Sequence, residues 1–225
     1  AKPSGPCNRV LPASHRAVRR WLAGGAALGC PAMAVAASPA EATPERPGLA
    51  VLGGSFNPPH ATHRRLVEAA LAGLPVDRVL VIPAGDHPHK RNTDMAPAED
   101  RLAMCRLAFA DLPGVTVDDR ELRRMGPSFT VDTLASLRTE HPGRHLYFLI
   151  GSDNLPLLPT WREPERLFAL CEVITYPRLG HPLDDAAFAA LPLPAELRRR
   201  LRDHVLEVPA DAIADKRIRR ALIDA

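Results

Sequence analysis

Two histidines lie three residues apart in the segment 53–63, which reads GGSFNPPHATH. The segment begins with Gly53 and Gly54 at the end of an apolar run, and a helical pattern follows it. Glycines allow the backbone to approach a ligand closely, and N–H groups at a turn and a helix N-terminus form an anion site suited to phosphate. Because of their spacing, His60 and His63 point to the same side of the helix start. Together these features predict a site that stabilises charge on a phosphoryl group.

Other roles for the histidine pair remain open at this point. His60 and His63 could bind a metal ion, although structural zinc usually takes four protein ligands and no third ligand is evident nearby. A pair of surface histidines without a role is a further alternative. The combination of a strand end, two glycines, an aromatic residue, asparagine, two prolines and the paired histidines favours phosphate handling.

Strand patterns and helix patterns alternate along the body of the chain. Short apolar runs predict strands at 48–52, 78–82, 115–118, 145–150, 172–175 and 205–208. Helical spacing predicts helices at 61–74, 98–111, 130–141, 162–170, 195–204 and 215–223. This alternation predicts an α/β fold, a Rossmann-like doubly wound parallel sheet with helices on both faces. Ligands of such sheets bind outside the carboxyl ends of the strands, where the strand order reverses.

Composition excludes several classes of protein. The chain has 225 residues, of which 46% are hydrophobic and 24% charged, which excludes a wholly disordered chain and a polytopic membrane protein. Its net charge of +3 is unevenly distributed. Residues 1–48 contain six basic and two acidic residues, so residues 49–225 are close to neutral. We therefore expect no nucleic acid among the partners.

The first 48 residues differ from the rest of the chain. Residues 1–48 are rich in Ala, Pro, Gly and Ser, and we interpret them as a disordered or low-complexity extension of a domain at 49–225. A secretory signal is the alternative, because three arginines precede an apolar run that begins at Trp21. Glycines and a proline interrupt that run, and it is too short to span a membrane.

The cysteines favour a reduced, cytoplasmic protein. None of the four forms a Cys-x-x-Cys pair, so zinc-ribbon and thioredoxin-like sites are excluded. Their distribution gives no disulfide framework. We expect no membrane partner, and assembly into a homo-oligomer is left open by the sequence.

The segment 53–63 resembles the Gly-Gly-Thr-Phe-Asp-Pro-x-His-x-Gly-His signature of nucleotidyltransferases. The likeness is greatest to the bacterial nicotinate-mononucleotide adenylyltransferases. Residues 82–90 (IPAGDHPHK) are similar to the loop of that family after its second strand, and 126–134 (GPSFTVDTL) to its Gly-Pro-Ser-Tyr-Thr segment. Residues 99–104, the Gly-Ser-Asp of 151–153 and the Thr-Trp of 160–161 resemble further family motifs. Together the motifs cover about residues 49–176.

The resemblance implies adenylyl transfer from ATP to nicotinate mononucleotide, which gives deamido-NAD and pyrophosphate. It implies that His60 and His63 act in catalysis. The nucleotide and phosphates are expected to contact Gly53, Gly54, Ser55, Phe56, Lys90, Asp153 and Arg219. The pyridine nucleotide is expected to contact His89, Thr130 and Trp161. The sequence shows no carboxylate cage for a metal, so Mg²⁺ is expected to arrive on the phosphates of ATP.

Two departures from the family pattern leave alternatives open. Thr62 replaces a family glycine, and residues 213–219 (IADKRIR) replace the hydroxyl-bearing Ile-Ser-Ser-Thr-x-Ile-Arg segment. A nucleotide-binding relative with weak catalysis is therefore one alternative. Another adenylyltransferase, such as pantetheine-phosphate adenylyltransferase, or a cytidylyltransferase is the second. The sequence does not decide between nicotinate and nicotinamide mononucleotide.

Overall fold

A computed structural model of the chain describes residues 47–85 and 95–208. Several predictions fall outside these residues. They concern the extension up to residue 46, His89 and Lys90 in the segment 86–94, and Arg219 with the last predicted helix. The domain boundary after residue 48 stays a prediction.

Five strands form one parallel sheet, as the alternating pattern predicts. They are β1 (Gly48–Gly54), β2 (Val76–Pro83), β3 (Val115–Val117), β4 (Leu146–Gly151) and β5 (Glu172–Tyr176). Their spatial order is β3-β2-β1-β4-β5, and every pairing is parallel. The chain adds β2 and β3 on one side of β1 and then crosses to its other side for β4 and β5. The strand order therefore reverses between β1 and β4, which is where such sheets bind ligands.

Both faces of the sheet are buried. Along β1, Leu49 and Val51 belong to one apolar cluster, and the alternate residues Ala50 and Leu52 belong to another. Successive side chains of a strand point to opposite faces, so the two clusters lie on opposite faces of the sheet. Near-continuous apolar strands of this kind are typical of parallel sheets covered on both sides. The predicted fold class is confirmed.

Seven α-helices and one 3₁₀ helix occur within the described ranges. The α-helices are α1 (Ala61–Gly73), α2 (Ala98–Phe109), α3 (Arg120–Arg123), α4 (Thr130–Glu140), α5 (Pro164–Leu170), α6 (Asp185–Ala189) and α7 (Ala195–Asp203). The 3₁₀ helix (Ser152–Thr160) follows β4 directly. Among these helices, none has both the length and the apolar character needed to span a membrane.

The predicted strand at 205–208 is wrong. Only Val205 pairs with the sheet, in a single bridge to Thr175 of β5. The Thr175 N–H donates to the carbonyl of His204, and the Leu206 N–H donates to the carbonyl of Thr175. The next bond of a parallel ladder would need an N–H at residue 177, which is Pro177 and has none. The ladder therefore ends after one residue.

Three short helices were not predicted. The 3₁₀ helix contains Pro156 and Pro159, and prolines in a sequence indicate a loop. The helices α3 and α6 have four and five residues, too few for a helical period to be visible. The predicted helix at 162–170 begins at Pro164, because proline is well suited to the first helical turn.

Candidate functional site

The turn after β1 is anchored by the buried side chain of Phe56. The Phe56 side chain is only 2% exposed, and its ring packs edge-on against Phe109 of α2 with centroids 6.3 Å apart. Its backbone is in the left-handed region, with φ of 46°, which a residue with a side chain adopts rarely. Gly54 lies over the same ring, because a Cβ at Gly54 would come within 3.2 Å of it. The burial of one aromatic ring thus fixes a strained turn at the carboxyl end of β1.

The two histidines lie together at the start of α1. His60 is the N-cap residue and His63 the third residue of the helix. Their rings are stacked with centroids 3.8 Å apart and planes 26° apart, so the expected proximity is confirmed. The backbone N–H of His60 donates to Nδ1 of His63 at 3.2 Å. Since Nδ1 accepts that bond, the neutral His63 ring carries its proton on Nε2.

Thr62, which replaces a family glycine, lies between the histidines. Its side chain is only 5% exposed. The hydroxyl-bearing side chain is therefore packed within the protein and does not project into solvent.

Arg101 was missed as a site residue. The sequence predicts a helix face of Leu102, Cys105, Ala108 and Phe109, but the buried positions of α2 are Arg101, Cys105 and Phe109. Arg101 occupies the place assigned to Leu102, one turn before Cys105. Its guanidinium donates to the carbonyl of Ser55 in the turn after β1 at 2.8 Å. Helical spacing from Cys105 and Phe109 is the signal that could have found it.

Asp153 lies at the carboxyl end of β4, next to the crossover point. Its Oδ1 accepts a hydrogen bond from Nδ2 of Asn154 at 3.3 Å and is 3.6 Å from Nε of Arg178. The carboxylate lies against Gly151, where a Cβ would overlap it. The buried hydroxyl of Ser152 accepts from the Arg178 N–H at 2.9 Å. This hydrogen bond connects the residue after β4 with the segment after β5, next to Asp153.

Trp161 and Thr130 are two of the residues that are expected to contact the pyridine nucleotide. Trp161 follows the 3₁₀ helix and is half-buried, with its ring edge-on to Phe148 of β4 at 6.2 Å between centroids. One side of the indole packs on the core, and part of it is exposed. Thr130 is the first residue of α4 and is half-buried.

A half-buried carboxylate lies close to the end of β2. Glu121 in α3 accepts a hydrogen bond from Oγ1 of Thr133 at 2.7 Å. Burial raises the pKa of Glu121, although hydrogen bonds from Thr133 and from the Gly85 N–H oppose that shift. A Cβ at Gly85 would overlap the Glu121 carbonyl oxygen. The α3 segment therefore packs directly on the backbone that follows β2.

The described site residues share one edge of the sheet. The turn at Gly53–Phe56 and the histidine pair follow β1, and Asp153 follows β4, its direct neighbour. Carboxyl ends of parallel strands meet at the same edge. His89, Lys90 and Arg219 lie outside the described residues, so their roles stay predictions. Within 47–85 and 95–208, no group of three or more His, Cys, Asp or Glu is arranged to hold a metal ion.

Comparison with known proteins agrees with this geometry. The Cytidylyltransferase-like family model matches residues 51–209, more than half of the chain. A protein of Symbiobacterium thermophilum named "Probable nicotinate-nucleotide adenylyltransferase" is 42% identical over 174 residues, which span 76% of this chain and 82% of that protein. The chain belongs to the nicotinate-nucleotide adenylyltransferase family.

Further members of this family support the assignment. A Synechococcus protein with the same name is 39% identical over 179 residues, covering 80% of this chain and 84% of the relative. The adenylyltransferase fold is also seen in the solved structure of Plasmodium falciparum nicotinic acid mononucleotide adenylyltransferase complexed with NaAD. That structure has a TM-score of 0.56 and 21% identity, covering 65% of this chain and 72% of the other. Its membership of the family, shown by the curated relatives and the family model, makes this chain a nucleotidyltransferase.

Proposed function

We propose that the chain transfers the adenylyl group of ATP to nicotinate mononucleotide, giving deamido-NAD and pyrophosphate. A phosphate oxygen of the mononucleotide attacks the α-phosphorus of ATP, and the bond from that phosphorus to pyrophosphate breaks. The nucleophile belongs to the substrate, so the enzyme needs no covalent intermediate. Its task is to hold the two phosphates in line and to stabilise the charge that develops between them.

The single observation that supports this proposal best is the histidine pair at the N-terminus of α1. The bond from the His60 N–H to Nδ1 of His63 places the proton of the neutral His63 ring on Nε2. A donor fixed in this way stabilises a phosphoryl transition state without reorganising as the charge develops. The stacked His60 ring adds a second polar group at the same place. The positive end of the α1 dipole acts on the same phosphate.

The remaining residues are proposed to bind the two nucleotides. The turn at Gly53, Gly54, Ser55 and Phe56 contacts the phosphates through its backbone. Asp153 accepts hydrogen bonds from a ribose hydroxyl, Trp161 stacks on the pyridine ring and Thr130 lines that pocket. Lys90, His89 and Arg219 are assigned by resemblance alone. Mg²⁺ enters with ATP, because oxygen atoms of phosphates are its preferred ligands. Location in the cytoplasm stays a prediction.

Pyrophosphate release by the full chain with Mg-ATP tests the proposal. Nicotinate mononucleotide, nicotinamide mononucleotide and phosphopantetheine are compared as co-substrates. We expect release with a pyridine mononucleotide, and with the nicotinate form above the others. Release only with phosphopantetheine would identify a different adenylyltransferase, and no release from a folded, nucleotide-binding chain would indicate a relative without catalysis.

The first variant for this assay is His63→Ala. We expect kcat to fall by about 100- to 1,000-fold, as for the loss of one fixed donor to a transition state. His141→Ala is the matched control, because His141 follows α4 at the opposite edge of the sheet. Wild-type turnover by His63→Ala would contradict the catalytic role of the pair.

A further inference from the structure

Arg101 is a charged side chain buried beneath the phosphate-binding turn. It lies in the first turn of α2 and is only 3% exposed. An arginine stays protonated inside a protein, so its donors must be matched by acceptors when it is buried. Burial of this kind is costly, and a leucine at the same position would avoid the cost. The arrangement therefore calls for an explanation beyond packing.

The guanidinium reaches three separate segments of backbone. Nε donates to the carbonyl of Ala96 at 3.2 Å, Nη1 to Ser55 at 2.8 Å and Nη2 to Ala84 at 2.9 Å. Ser55 is in the turn after β1, Ala84 follows β2, and Ala96 precedes α2. One planar group thus joins the phosphate-binding turn to the chain on either side of residues 86–94. A second bond makes the same connection, because the Ala96 N–H donates to Oδ1 of Asn57 at 3.0 Å.

The bond to Ser55 determines the direction of a peptide group. In a trans peptide the carbonyl and the following N–H point in opposite directions. When Arg101 holds the Ser55 carbonyl inward, the N–H of Phe56 points the other way. Phe56 has a left-handed backbone, a conformation that persists only when its surroundings hold it.

We propose that Arg101 is a positioning residue for adenylyl transfer. Its three bonds hold the Ser55–Phe56 peptide so that the backbone donors of the turn face the transferring phosphate. This inference rests on the proposed function. Lysine cannot replace it, because a single ammonium group lacks the planar set of donors that reaches three carbonyls at once.

Arg101→Lys in the full chain tests the proposal. We expect kcat to fall by about 100-fold, the effect of misplacing a reacting group by about 1 Å. The KM for nicotinate mononucleotide is expected to change by less than about 3-fold, because Asp153 and Trp161 remain in place. Kinetic constants are referred to the folded fraction, measured by circular dichroism. Arg101→Gln, which keeps two N–H donors without the charge, is the second variant, and we expect the same fall in kcat.

Arg144→Lys is the matched control. Arg144 is also largely buried and donates to a backbone carbonyl, that of Gly48 at 2.6 Å, but at the amino end of β1. We expect this variant to lose stability without a change in kcat. If the Arg101 variants lose stability but keep wild-type kcat, Arg101 is merely structural and the proposal is overturned. If the wild-type chain releases no pyrophosphate at all, the proposed function fails instead, so the two failures are distinguishable.

Discussion

His63 shows how a single hydrogen bond can prepare a side chain for chemistry. Either nitrogen of a neutral imidazole can carry the proton. The His60 N–H occupies Nδ1 of His63 and so leaves the proton on Nε2. The helix N-terminus that we propose to bind phosphate thus also selects the tautomer that we propose to donate to it. The two effects arise from the same three-residue spacing in the sequence.

Trp161 offers a test of pyridine binding at the residue scale. Trp161→Ala is expected to raise the KM for nicotinate mononucleotide by about 10-fold, since stacking of a base on an aromatic ring contributes about 1–3 kcal/mol. Trp161→Phe retains an aromatic face and should show a smaller rise. Steady-state kinetics at saturating ATP measure both.

The unfolding temperature of each Trp161 variant serves as the control, because the indole also packs on Phe148. An unchanged KM in a folded Trp161→Ala would assign the side chain to the core alone.

Single residues differ in how far the sequence reveals them. The turn and the histidine pair are contiguous, so their proximity follows from a strand end and a helix start. The buried Arg101 and the half-buried Glu121 are different, because their contacts are with segments that are distant in sequence. Ser55 and Arg101 are 46 positions apart. No local pattern predicts that the Arg101 guanidinium contacts the Ser55 carbonyl. A charged residue on a helix is usually exposed.

At the scale of elements, the strands and long helices follow from apolar periodicity and the short helices do not. Residues 205–208 have the composition of a strand, yet they pair with the sheet at one residue only. Pro177, which follows β5, has no N–H to continue the ladder. Pairing is a property of two segments, and a sequence pattern describes only one of them. The same reason explains why the strand order was not predicted in detail.

The packing of α3 on the end of β2 predicts the effect of Gly85→Ala. A Cβ at this position would overlap the Glu121 carbonyl, which is backbone and cannot move aside. We expect the free energy of unfolding to fall by about 1–3 kcal/mol, as is usual for overpacking. Chemical denaturation measures this change.

Gly73→Ala is the matched control for Gly85→Ala. A Cβ at Gly73 would lie in ordinary contact with Leu206 at 3.5 Å, so this variant should be neutral or slightly more stable. Equal stability of the two variants would show that α3 is free to shift away from Gly85.

The whole molecule carries a charged cluster at the edge opposite the site. Nδ1 of His204 lies 2.9 Å from Oε1 of Glu172, at the amino end of β5, and Arg200 bonds the same carboxylate. Burial disfavours the charged form of His204, but the bond and the charge of Glu172, together with the Arg200 carbonyl and the charge of Asp203, raise its pKa above the ordinary 6.5. Burial likewise opposes ionisation of Glu172, and its bonds to His204 and Arg200 lower its pKa nevertheless.

The pH dependence of stability follows from the raised pKa of His204. Its contribution is fully present below pH 6.5 and is lost as the pH rises through the higher pKa of the folded state. His204→Gln should therefore cost more stability near about pH 6 than near about pH 8.5. Urea unfolding of both proteins at the two pH values measures the difference.

His145→Gln is the comparison with the opposite sign. Burial lowers the pKa of His145, so the wild type loses stability relative to this variant as the pH falls below 6.5.

A cost of His204→Gln that does not vary with pH would show that the bond to Glu172 is the same for the neutral and charged ring.

The central position of β1 has a consequence for how the chain reaches its native state. β1 pairs with β2 through Val51 and Leu80, but it pairs with β4 through Val51 and Phe148, 97 positions further along the chain. The first pairing can form early during synthesis, whereas the second must await most of the domain, and such distant contacts slow folding. Until β4 arrives, β1 presents an apolar unpaired edge of the kind that associates with other chains. The crossover at which we propose the binding site is thus also a step at which the growing chain is exposed to aggregation.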